Sequence, residues 1–275
     1  MARVTESHLL SIWTFAADDV FVGGTDGTLL HFNGSDWQKM ETGGRWTFKN
    51  IWGPAPDNVY AVCTDGRILH YDGSKWDIEE SDKLPPMTGI WGLAEDEIYA
   101  CSRLGKILKY DGSAWKFMQT GTDTDITRLW GCREGGMYAV GYDGLVLKLD
   151  GDKWVRMTFN SNAEFYGIYG FGPDDMYIVG SEGAIVKFNG SEIVEMPSRT
   201  MEFFLDVWGP SSDMVFAVGD LGMIMFLNGD QWTQIESNTE EYLTAIRGVS
   251  DDNIYAVGDN GLILNWNGED WKETE

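Results

Sequence analysis

Cysteine is scarce in this sequence. Cys63, Cys101 and Cys132 are the only three among 275 residues. They form no CxxC pair and no metal-like spacing with the three histidines, so no metal or cofactor site is expected and each reads as a reduced core or loop thiol. Long apolar runs are missing as well: no stretch approaches the ~20 residues that a bilayer-spanning helix needs. The opening residues, MARVTESHLLSIW, lack the apolar h-region and small-residue cleavage site of a secretory signal. The expected location is therefore the cytoplasm. Bases are few, 20 Lys and Arg against 44 Asp and Glu, for a formal net charge of −24. Neutralising phosphates takes a density of Lys and Arg that this chain does not have, which excludes nucleic acid and anionic membranes as direct partners.

Glycine and tryptophan, by contrast, are plentiful, at 34 and 13. Their placement is periodic. Ile12, Ile51, Ile90, Leu129, Ile168, Val207 and Ile246 are each 39 residues apart, and the same pattern follows each of them. In the second copy it reads IWGPAPDNVYAVCTDGRILHYDGSKW. Each unit holds four short strand signals, here A to D. In the second unit they span Phe48 to Trp52, Asn58 to Cys63, Arg67 to Tyr71 and Lys75 to Glu79. The B–C turn carries a glycine in all seven units, and the C–D turn is always Asn or Asp followed by Gly, the residues that hairpins with positive φ require. Strand B is apolar on both faces, as a strand between neighbouring sheets must be, while strand D alternates Trp76 and Ile78 with Lys75, Asp77 and Glu79, as suits an outer edge.

Four strands per repeat of about 40 residues describe the blades of a propeller, of which closed rings have ~4–8. The expectation is an all-β, seven-bladed β-propeller of four-stranded antiparallel blades over residues 1–275, its 39-residue repeats starting near 12, 51, 90, 129, 168, 207 and 246. With strand A innermost, each blade is contiguous in sequence and no terminal strand is borrowed; in a shifted frame the N-terminal strand would instead complete blade seven as a clasp. The linker after the seventh unit is dropped, for the chain closes at WKETE.

The unit WGxxxDxVYAVGxxGxILxYDGxxW resembles the Trp-rich propeller repeats of bacterial proteins and is similar in layout to tectonin-type and Asp-box-type repeats. The resemblance spans essentially the whole chain. It implies the fold and a broad range of functions, among them lectins, assembly factors and adaptor scaffolds. The full Asp-box pattern is absent, so no glycosidase activity is carried over. The WD dipeptide of WD40 repeats and the diglycine of kelch repeats are absent too.

Three recurring residue types invite a functional reading. Tryptophans at a fixed place in strands A and D could stack sugars, but recurrence, with Ile193 standing in once, is what packing between blades demands. The Asp ahead of strand B (Asp18, Asp57, Asp96, Asp174, Asp213 and Asp252) suits a turn better than calcium, which needs several oxygens from one loop. His31 and His70 share a repeat position that Lys109, Lys148 and Lys187 occupy in the next three units, with no nucleophile or third ligand at a telling spacing. No catalytic grouping emerges, and the chain is not expected to be an enzyme.

Charge breaks the symmetry. Units five, six and seven carry −5, −6 and −5, whereas units three and four carry −1 each. D–A linkers and B–C turns share one face of a propeller. On units five to seven that face would present Glu182, Asp220 and Asp259 from the turns, and Glu202, Glu240 and Glu241 from the linkers, beside the aromatic Phe203 and Tyr242. An acidic rim with aromatic anchors points to a basic protein or peptide partner. Toxin neutralisation and a place in a larger assembly both fit, with the chain otherwise monomeric. The alternative is a carbohydrate-binding lectin that uses aromatic blade pockets.

Overall fold

A computed structural model describes residues 3–80 and 84–274; residues 1, 2, 81–83 and 275 of the expected propeller lie outside the described residues. Seven four-stranded antiparallel sheets form a ring, each built from consecutive strands in the order A-B-C-D. Blade one runs Leu9–Ala16, Asp19–Gly24, Leu29–Phe32 and Trp37–Lys39; blade seven runs Leu243–Ser250, Asn253–Gly258, Ile263–Trp266 and Trp271–Glu273. No strand is shared between blades, as the contiguous frame requires.

The core is divided among the blade interfaces. Residues from strand B and its neighbours meet those of the next blade in buried clusters, and the last interface joins the two ends of the chain. There Leu9, Ile12, Val20, Val22 and Leu30 pack on Ala245, Tyr255, Val257 and Ile263. The inner strands are also stitched by side chains. Thr88, Thr127 and Thr244, one repeat position, each donate a hydroxyl hydrogen bond to the next blade's inner strand, at Ile126, Phe165 and Leu9.

Tryptophan does the packing that its recurrence implies. Trp76, Trp154, Trp232 and Trp271 of strand D are buried. In strand A, Trp208 lies over Gly248 of the next blade, so closely that a Cβ there would sit 2.8 Å from its ring. The His31 position is structural too. His31 stacks on Phe21 and pairs with Asp19 at 2.8 Å, and His70 stacks on Tyr60. Lys109, Lys148 and Lys187 lie over Tyr99, Tyr138 and Tyr177 in the same way, as cation–π contacts.

Residues 3–8 lie beside the blade seven B–C turn, where a D–A linker lies in the other blades. His8 accepts a backbone hydrogen bond from Thr25, and the Thr5 carbonyl lies against Gly261 of the blade seven turn. Arg3 donates to Glu241 at 2.8 Å, to Glu273 at 2.6 Å and to the Asn260 carbonyl at 3.1 Å. Arg3 and Glu273 therefore meet at one seam. No helix among the described residues is long and apolar enough to cross a membrane.

Candidate functional site

Linkers and B–C turns do share a face, and backbone hydrogen bonds hold them together. The Glu202 carbonyl accepts from Gly183, next to Glu182, and the Phe203 carbonyl accepts from Asp220. Glu182, Glu202, Phe203 and Asp220 thus form one continuous patch across blades five and six. A second patch repeats it one blade on, where the Tyr242 carbonyl accepts from Asp259, with Glu240 and Glu241 preceding it. Phe203 and Tyr242 are exposed, as are Met201 and Leu221 beside them. Burial, and then the charge of Glu202, raise the Asp220 carboxyl above its ordinary value.

Two of the expected carboxylates already have partners. Glu241 is bound by Arg3, and Asp259 accepts from His8 Nδ1 at 2.8 Å. Both pairs belong to the seam. Glu182, Glu202, Asp220 and Glu240 make no ion pair among the described residues.

A second polar centre lies on the channel axis, where sequence reasoning did not look. Lys49, Thr88, Thr127, Tyr166, Leu205 and Thr244 hold one repeat position at the start of strand A, and all six line a cavity of about 230 Å³. Arg103, Asp125, Arg128 and Tyr142 complete its wall. Just beneath it, Asp206 receives Arg247 Nη1 at 3.1 Å and has Arg128 Nη2 at 4.0 Å, all three side chains being buried. Arg247 also covers the Tyr169 ring, 5.6 Å from its centroid. Tyr169 and Arg247 are the two residues that replace the strand-A tryptophan. The two departures are thus one contact, made across blade six. Tyr142, Tyr166 and Phe203 form a run of rings, 6.1 and 6.2 Å apart, from the cavity to the acidic patch.

The channel signal was present in the sequence as a column. Ser11, Asn50, Gly89, Arg128, Gly167, Asp206 and Ala245 share one repeat position, which holds two opposite charges at Arg128 and Asp206. Among the described residues no group of three or more His, Cys, Asp or Glu could hold a metal ion.

No protein-family model matches the chain, and no curated protein matches it. Solved structures do. The chain is similar to YCF48 from Cyanidioschyzon merolae, with a TM-score of 0.79, 17% identity, and 98% of each chain covered. It is also similar to YCF48 bound to a D1 peptide, with a TM-score of 0.77, 17% identity, and 97% of this chain and 93% of that chain covered. These neighbours are β-propellers; at this identity the likeness is one of fold.

Proposed function

We propose that this chain is a non-catalytic, cytoplasmic propeller scaffold that binds a basic protein or peptide on the linker face of blades five to seven. The observation that carries the reading is the patch in which unpaired Glu182, Glu202, Asp220 and Glu240 surround exposed Phe203, Leu221 and Tyr242. Apolar anchors inside a charged rim supply affinity and steering together. YCF48 bound to a D1 peptide supports the class of ligand, as a propeller of the same architecture that takes a peptide. The tryptophans that a lectin would use are spent on blade packing, so no observation favours the carbohydrate reading.

The test is capture of partners from the native host, followed by binding of the purified partner. Reversing Glu182, Glu202, Asp220 and Glu240 to Lys is expected to weaken binding at least about tenfold, mainly through slower association. Raising salt from about 50 to 150 mM should weaken the native protein in the same direction. Glu241 and Asp259 are left intact, because reversing them would break the seam. Capture that is unchanged by both treatments would rule out the acidic patch as the interface.

A further inference from the structure

We propose that the mouth of the central channel is a binding site for a small oxyanion, a carboxylate or phosphate group, held by Lys49, Arg103 and Arg128. This goes beyond the partner surface and does not depend on it. In a chain of net charge −24, three cations meet at this channel mouth. Lys49, Arg103 and Arg128 face a common cavity whose only acidic wall residue is Asp125. Asp125 is already engaged, accepting from the Leu104 backbone at 2.8 Å and lying 3.9 Å from Arg103.

Arg128 is the decisive residue. It is 6% exposed, and its Nε and Nη1 have no hydrogen-bond partner. Only its Nη2 approaches Asp206, at 4.0 Å, and that carboxylate is held more closely by Arg247. A buried guanidinium with free donors costs stability, and folds do not keep such a group idle without compensation. Its planar fork suits a carboxylate or a phosphate equally. Burial, followed by the charges of Arg128 and Arg103, brings the Lys49 ammonium down to about 8. An anion lying between these three groups would offset the positive charge that they concentrate.

Size and field narrow the ligand. A cavity of about 230 Å³ admits a small anion or the end of a chain. The surrounding acidic surface would repel a polyanion.

Calorimetry and thermal melting at constant ionic strength, balanced with chloride, test the proposal. The probes are inorganic phosphate, acetate, and a short peptide as its free acid and as its C-terminal amide. At least one of phosphate, acetate and the free-acid peptide should bind and raise the midpoint. Response to phosphate alone assigns a free phosphate-type ligand. A free acid that binds where its amide does not assigns a chain end, and both outcomes support the site. Lys49→Met and Arg128→Met should each weaken the response about tenfold or more, while Lys39→Met on the outer strand of blade one leaves it unchanged. Should Arg128→Met fail to fold, Lys49→Met carries the test alone, since that side chain makes no ion pair among the described residues whose loss would unsettle the fold. No response to any probe beyond chloride, or an undiminished response in Lys49→Met, would overturn the proposal.

Discussion

Asp220 sits in surroundings that disfavour its charge, partly withdrawn from water and close to Glu202. Its folded carboxyl therefore titrates above the ordinary 3.8 of the unfolded chain. Between those two values the folded state holds the extra proton, so stability falls as pH rises through the window and the cost persists at neutrality. Asp220→Asn removes the cost. The variant should melt higher than the native protein at pH 7, and the gain should disappear as pH drops below 3.8, a comparison that melting curves at pH 3 to 7 would settle. The same substitution should weaken the basic partner. A gain in stability paired with a loss in binding is the signature of a residue kept for its charge. Lys49 mirrors this on the channel axis: with a folded value of about 8 against 10.5 unfolded, it makes the fold less stable while it is protonated.

Among the strands and turns, the strand boundaries were largely readable. Strand B of blade two is Asn58–Cys63, as expected, and strand C begins one residue late, at Ile68. Strand A was read too short. It continues from Trp52 to Ala55, past Gly53 and Pro54, through a shift in register. A proline ends most strands, but this one is the inner edge of its sheet, where a missing N–H breaks no ladder. The side-chain pairs of the seam were not legible, because they join residues that only the closed ring brings together; the Tyr169–Arg247 contact was not, because it reaches across the whole of blade six. His8 and Asp259 are 251 positions apart. The turns themselves contain a further contrast. In six of the seven B–C turns the residue before the glycine takes the left-handed conformation, which Asp26, Asp143 and Asn260 tolerate but Leu104 and Leu221 do not favour. Both leucines are exposed. Leu104→Asn is expected to stabilise the protein by about 1 kcal/mol, read as a higher urea midpoint with an unchanged slope.

At the scale of the whole molecule, seven similar blades leave one junction that the chain does not cross. Leu9 and Ala245, the Thr244 hydroxyl, and the Arg3 and His8 pairs hold it. Deleting residues 1–8 removes the three contacts that Arg3 and His8 make with Glu241, Glu273 and Asp259, and uncovers the blade seven turn. The unfolding midpoint should fall by roughly 5 °C or more, and amide exchange should quicken first in blades one and seven. Uniform exchange around the ring would contradict that ranking.

The absence of a shared strand at the seam has a mechanical consequence. In a ring fastened by a borrowed strand, tension on the ends must shear a whole ladder of backbone hydrogen bonds at once. Here Arg3 and Glu273 lie side by side, with no ladder between blades one and seven. Tension on those two points would open the ring as a zip opens, one contact after another, at low force.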